Sequence, residues 1–155
     1  MRKQKAKKRY LAPDPIYSDG LVTRFVNNMM IGGKKSTAYD SFYEAMDKIK
    51  ETTKEDGYET WKKAMENAQP GVEVRSRRIG GATFQIPTQI REDRKLFLTI
   101  RWLIGFARKR SGKSMGDKLA AELIAASKGE GAAVKKKEDT HKMAEANKAF
   151  SHFKV

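Results

Sequence analysis

The side-chain pattern of this chain changes period at one place, and that change restricts the fold more than any other feature. Up to Pro70-Gly71, apolar residues recur at intervals of three and four. Beyond it, Val72-Glu73-Val74-Arg75-Ser76-Arg77 and Ala82-Thr83-Phe84-Gln85-Ile86 alternate with a period of two, on either side of Gly80-Gly81. Helical spacing then returns from Leu96 onwards. The periods 3.6 and 2 belong to different backbones, so the sequence predicts one β-hairpin, at about 72–87, within an otherwise helical chain. Gly80-Gly81 suits a two-residue hairpin turn, whose central residues need positive φ. Two strands alone are marginal in water, so the hairpin is expected to protrude from a helical body.

That body reads as about six helices. Leu21, Val22, Phe25, Val26, Met29 and Met30 form the first stripe, with Ser18 or Asp19 as N-cap and Gly32-Gly33 as terminator. Ser36 is expected to cap a second helix carrying Tyr39, Phe42, Tyr43, Met46 and Ile49, fading at Thr52-Thr53. A third carries Tyr58, Trp61, Met65 and Ala68 and is stopped by Pro70-Gly71. After the hairpin come Leu96, Phe97, Ile100, Leu103, Ile104 and Ala107. Ser114-x-x-Asp117 is a capping-box pattern opening a helix through Leu119, Leu123 and Ile124, which stops near Gly129. A last helix starts around Ala132 and carries Met143, Ala146 and Phe150, with Phe153 beyond. The fold class is mainly α: a compact helical domain over 12–155, one β-hairpin, and a disordered basic arm over 1–11, cut off by Pro13-Asp14-Pro15.

Charge shows what such a body is for. The chain has 155 residues and a formal net charge of +14. Residues 1–11 carry +6 and residues 71–115 carry +8, while the remainder balances to zero, with an acid-rich stretch over 12–70. A surface built for solubility alone intermixes the signs; segregated base points to a polyanionic partner. Under a fifth of the residues are Leu, Ile, Val or Phe, so the core is thin. Cysteine is absent, which excludes disulfides and thiolate metal sites and fits a reducing, cytoplasmic setting. No apolar run reaches the ~20 residues of a membrane span, and no membrane partner is expected.

Three groups of cations are the candidate contacts. Arg91, Arg94, Arg101 and Arg108 are spaced at three and seven, which places them on one helical stripe; Lys95, Trp102 and Lys109 run parallel to it. Forked guanidinium donors on one face suit phosphate oxygens, and Trp102 can stack on a base or pack at the core edge. Arg75, Arg77 and Arg78 flank the hairpin turn, where a narrow ribbon can enter a groove or where charge can keep an exposed strand edge from pairing. Lys34 and Lys35 follow Gly32-Gly33 at a helix corner, and Arg110 and Lys113 continue the basic run. Lys135-Lys136-Lys137 opens the last helix against its dipole, a conflict that a bound anion or solvent relieves.

Catalytic readings fail on chemistry. Gly112-Lys113-Ser114 ends like a P-loop, but Ala107 stands where the first glycine is required, and a helix precedes it where a strand should. His141 and His152, eleven apart, do not form a metal site. Glu44, Asp47 and Glu51 share a helical face without a convergent base. No catalysis, cofactor, metal or small-molecule substrate is expected. The residues alone leave open a free architectural DNA-binding protein with an intercalating hairpin.

The 72–87 segment, VEVRSRRIGGATFQIP, resembles the hairpin of bacterial small-subunit ribosomal protein seven. Ile100-Arg101-Trp102-Leu103, Gly33-Lys34-Lys35-Ser36, Asp19-x-Leu21 with Phe25-Val26, and the 131–150 segment GAAVKKKEDTHKMAEANKAF are similar to the same family, in order along the whole chain. The resemblance implies a structural protein that binds small-subunit ribosomal RNA early, nucleates assembly of the subunit head, and sits at the subunit interface near exit-site tRNA and messenger RNA, touching small-subunit proteins nine and eleven. Lys34 and Lys35, Arg75, Arg77 and Arg78, and Arg101 and Trp102 would then be RNA-facing; charge and spacing add Arg2, Lys3, Lys5, Lys7, Lys8 and Arg9 of the arm, with Arg91, Arg94, Lys95, Arg108, Lys109, Arg110 and Lys113. Ile79, Gly80 and Gly81, with Lys142, Met143, Asn147, Lys148 and Phe150, would face tRNA or a neighbouring protein. The chain departs from the family in Ser41, in the acidic Arg91-Glu92-Asp93-Arg94 junction, and in its His152-Phe153-Lys154-Val155 end.

Overall fold

The computed structural model describes residues 10–153; the arm cations Arg2 to Arg9 lie outside them. Six helices and one hairpin follow in order: α1 (Gly20–Met29), α2 (Lys35–Thr53), α3 (Gly57–Asn67), β1 (Val72–Ile79), β2 (Ala82–Gln89), α4 (Glu92–Lys109), α5 (Met115–Ser127) and α6 (Ala132–Ala146). A 3-10 turn, Lys148–Phe153, closes the described chain.

Three of the helices start on a local signal. Asp19 is the N-cap of α1, accepting from the Leu21 N–H at 2.8 Å. Ser114 accepts from Asp117 N while Asp117 accepts from Ser114 N, a complete capping box at the head of α5. Glu92 and Asp93 occupy the first turn of α4, where carboxylates oppose the dipole; the acidic departure at this junction is therefore a helix-start signal. Ser36 does not cap α2. The turn through Gly32-Gly33 brings Lys34 into the capping position, with Ala38 N donating to Lys34 O at 3.3 Å, so the helix begins ahead of the serine.

The core gathers around α5, which packs against α2, α3 and α4. Leu119, Ala120, Leu123 and Ala126 of α5 are buried among Phe42, Ala45, Met46 and Ile49 of α2, Trp61, Ala64 and Met65 of α3, and Ile100, Leu103, Ile104 and Ala107 of α4. Alanine at the seams permits close approach, so few large side chains fill the interior. The backbones of α2 and α3 approach closely: a Cβ on Gly57 would lie 2.5 Å from the Met46 carbonyl oxygen.

An aromatic layer extends the core along one side. Tyr17 stacks on Tyr58 with centroids 4.6 Å apart, and Phe25 and Phe42 each meet Trp61 edge-on at 5.8 Å. Trp61 Nε1 is shielded from solvent and has no acceptor among the described residues. Asp14, itself buried, accepts from Tyr43 Oη at 2.6 Å and from the Ile16 and Tyr17 N–H groups, anchoring the Pro13-Asp14-Pro15 segment to α2. Burial raises the Tyr43 phenol pKa, reinforced by this bond.

Two stripes differ from the sequence pattern. On α6 the buried positions are Ala133, Val134, Thr140 and Ala144, whereas Met143 is 41% exposed and Ala146 is exposed. On α4, Thr99 is buried and Phe97 stands 38% exposed. On α6 the side in contact with the body is lined mostly by small residues, whereas α4 buries Ile100, Leu103 and Ile104 and leaves Phe97 outside that stripe.

Candidate nucleic-acid interface

The hairpin pairs antiparallel, with Val72 opposite Gln89, Arg77 opposite Phe84, Arg78 opposite Thr83 and Ile79 opposite Ala82. It runs two residues beyond the expected 72–87 span, to Gln89. Gly80 and Gly81 both hold positive φ, +56° and +89°, the signature of the turn that matches strand twist. Since side chains alternate across a strand, Arg75 and Arg77 share the face of Glu73, Phe84 and Ile86, while Arg78 lies on the opposite face. The three arginines therefore do not form one row, as a single-face ribbon would require.

Glu73 organises the hairpin base. It is the buried residue of β1, and its carboxylate accepts from Arg75 Nε at 2.7 Å and from Arg94 Nε on α4 at 3.3 Å. Ile86 beside it is 1% exposed. Gly71 N donates to His141 Nε2 at 3.0 Å, which fixes the hairpin entrance to α6. Further along, Phe84 meets Phe150 of the 3-10 turn at 5.3 Å between centroids. The hairpin is thus held at its base and again near its tip, and protrudes freely only around Gly80-Gly81.

On α4, the basic stripe divides into engaged and open members. Arg94 is committed to Glu73, and Arg108 Nη2 donates to the Met29 carbonyl at the end of α1 at 2.9 Å. Lys95 pairs with Glu92 at 2.5 Å. Arg110 Nε bonds the fully buried Glu122 carboxylate at 2.5 Å, and the other oxygen of Glu122 accepts from Ala133 N. Arg101 is exposed, lies over the Phe97 ring at 5.9 Å, and has no carboxylate partner among the described residues; Arg94 lies over the same ring at 5.5 Å. Arg91, at the N-cap, and Lys113, in the α4–α5 loop, are exposed, and Lys109 lies over Phe106 at 5.5 Å.

Trp102 is half-buried and packs on the core, so it belongs to the interior edge. The exposed aromatic on this helix is Phe97, which the periodicity assigned to the core; its place between two arginines, at i−3 and i+4, was the available signal. Arg75, Gln89, Ile90, Arg91 and Arg94 line a polar cleft of about 710 Å³ between the hairpin base and the head of α4. Lys34 and Lys35 are exposed at the α1–α2 corner, Lys35 5.6 Å from the Tyr39 ring.

The tRNA- or neighbour-facing set is brought together in part. Lys142, Met143 and Lys148 are exposed, whereas Asn147 is half-buried and donates to the Met143 carbonyl at 2.7 Å. Phe150 reaches the hairpin through Phe84, and Ile79 is half-buried beside the open Gly80-Gly81 tip. Lys137 of the triple-lysine run donates to the Asn67 carbonyl at 2.6 Å, so its charge caps the end of α3.

Of the acids weighed for catalysis, Glu44 belongs to a structural cluster. Glu44 and Asp117 both accept from Lys48, and Ser114 Oγ donates to Glu44 at 2.8 Å, joining α2 to α5. The Lys48 ammonium, with the Ser114 hydrogen bonds, holds the Asp117 carboxyl down at about 2; Glu44 is lowered in the same way, first by Lys48 and then by Ser114. Among the described residues no group of acids and histidines could hold a metal ion, and no helix is long and apolar enough to cross a membrane.

Residues 1–148 match the family model for ribosomal protein S7p/S5e. The chain is 63% identical over 154 residues to the small ribosomal subunit protein uS7 of Cytophaga hutchinsonii, covering 99% of each chain. It is 63% identical over 157 residues to that of Christiangramia forsetii, again 99% of each, and 58% identical over 155 residues to that of Amoebophilus asiaticus, at full length of both. With the predicted helical body and hairpin both present, the chain belongs to the ribosomal protein S7p/S5e family, non-enzymatic structural proteins of the small ribosomal subunit.

Proposed function

We propose that this protein binds small-subunit ribosomal RNA directly, through the hairpin, the outer face of α4, the Lys34-Lys35 corner and the N-terminal arm. It nucleates assembly of the subunit head and lies at the subunit interface near exit-site tRNA and messenger RNA, with small-subunit proteins nine and eleven as neighbours. The observation that carries this reading is the split within the basic residues. Arg94, Arg108 and Arg110 are consumed by Glu73, Met29 O and Glu122, whereas Arg78, Arg91, Arg101 and Lys113 are exposed and have no carboxylate partner among the described residues. Fold-building and phosphate-binding charge are separated, which a merely soluble surface has no need to do.

Each neutralised phosphate releases counterions, so affinity should fall steeply with salt. With six to ten contacts the loss between ~50 and 200 mM is ~10³–10⁵-fold on the duplex DNA scale. The test is titration of the isolated protein with head-domain ribosomal RNA and with random duplex of equal length at matched salt. Preference for the ribosomal RNA supports the reading. Equal affinity for both sinks it, and co-fractionation with chromosomal DNA would favour the architectural DNA-binding alternative.

A further inference from the structure

Glu73 is a carboxylate of the wrong sign for a surface that takes RNA. Its side chain is 12% exposed and touches two of the arginines, Arg75 and Arg94, that line the polar cleft between the hairpin base and α4. An anion this close to a phosphate site lowers affinity by repulsion. Neither arginine needs it as a partner for burial, since the Arg75 side chain is 64% exposed and that of Arg94 47%. An apolar residue at 73 would fill the same space without requiring partners at all. What the carboxylate adds is direction.

Glu73 Oε1 accepts from both Nε and Nη2 of Arg75, at 2.7 and 2.5 Å, and Oε2 accepts from Arg94 Nε at 3.3 Å. Arg94 is anchored again over the Phe97 ring, so the carboxylate is held from α4 and in turn holds Arg75. The occupied edge of the Arg75 guanidinium is the side-on one. Its end-on edge, Nη1 with the outer hydrogen of Nη2, is left for a second acceptor, in the two-pronged geometry that suits phosphate oxygens. The base beneath is fixed: Ile86 and Ile90 are buried, and Ile90 N donates to Gly71 O at 3.3 Å where the strands close. Arg91, the N-cap of α4, lines the same cleft. We propose that Glu73 is a positioning residue for phosphate recognition: held by Arg94, it aims the Arg75 guanidinium into the cleft, where Arg75 and Arg91 bracket one phosphate of ribosomal RNA. That role depends on the RNA binding proposed above and makes this part of it a matter of geometry as well as charge.

The test measures affinity for head-domain ribosomal RNA and for random duplex of equal length at matched salt. It uses wild type, Glu73→Gln, Arg75→Lys and the double variant, with Glu92→Gln as a control for charge and circular dichroism as a check on folding. Glu73→Gln removes an anion, so charge alone predicts tighter binding to both RNAs. Glu92→Gln, outside the cleft, should do that and leave the preference unchanged. Positioning predicts the reverse for Glu73→Gln: preference for the ribosomal RNA should fall about tenfold, the worth of one hydrogen bond to an ionised group. Arg75→Lys keeps the charge and loses the fork. It should cost a similar preference at an unchanged salt slope, and it carries the test if Glu73→Gln fails to fold. The double variant should lose no more than the worse single one, because both substitutions act on one guanidinium. Preference kept in either folded single variant overturns the proposal, as do additive losses. A wild type without preference would remove the RNA reading itself, and this role with it.

Discussion

Arg110 donates its Nε to a Glu122 carboxylate that has no exposed surface, across 2.5 Å. The second oxygen of Glu122 takes the Ala133 N–H at 3.0 Å, so one side chain ties the end of α4 to the start of α6 from within α5. Removing one member of a buried pair leaves the other charge uncompensated, at about 3–5 kcal/mol. Arg110 is about one-third exposed, so water partly replaces it and the lower end applies. Arg110→Ala is expected to cost about 3 kcal/mol in urea unfolding.

Arg101→Ala should behave in the opposite way. The side chain is exposed and lies over the Phe97 ring, so its loss is expected within ~0.5 kcal/mol of wild type in stability. In RNA titrations the slope of log affinity against log salt should fall by about one for the lost phosphate contact. An unchanged slope would remove Arg101 from the interface. Arg110→Ala, assayed where it remains folded, should leave the slope intact.

The Lys48 cluster sets an acid limit. In the fold the Asp117 carboxyl sits at about 2, against an ordinary 3.8. A depressed carboxyl binds fewer protons folded than unfolded, so it stabilises the protein above its unfolded value, and this contribution is lost as pH falls through the folded one. Glu44, lowered beside the same lysine, adds in the same direction. The urea midpoint should therefore drop between pH ~4 and pH ~2, and less steeply in Asp117→Asn.

Gly57→Ala should destabilise by about 1–3 kcal/mol through overpacking, because its Cβ would meet the Met46 carbonyl at 2.5 Å. Gly20→Ala, at the first position of α1 with nothing within 4 Å of the new carbon, should be neutral or slightly stabilising. Thermal melts of the two variants side by side check both.

Local features were readable in advance, and features that depend on a distant partner were not. Ser114-x-x-Asp117 and Gly80-Gly81 each state their structure within four residues, and both form as expected. Glu73 looks like the polar member of an alternating strand, yet it is the buried one, because Arg94, 21 residues away, compensates it. Heptad-like spacing correctly aligned Arg94, Arg101 and Arg108, but it cannot tell a phosphate-facing arginine from one spent on Met29 O. On α6, helical arithmetic favoured Met143 because it is large; the packing chose neighbouring Ala144, which lets the helix sit closer.

The contact between Phe84 and Phe150 changes the mechanics of the hairpin. A ribbon with strands of 8 residues is ~25 Å long, and fixed only at Glu73 it would be a cantilever, in which a ~10° tilt at the root moves the tip by ~4 Å. Phe150 props β2 two residues from the turn, so the ribbon becomes a beam resting on two supports with a short overhang. The 3-10 turn is then a strut, and shortening the chain by its last few residues would loosen the aim of a tip encoded seventy residues earlier.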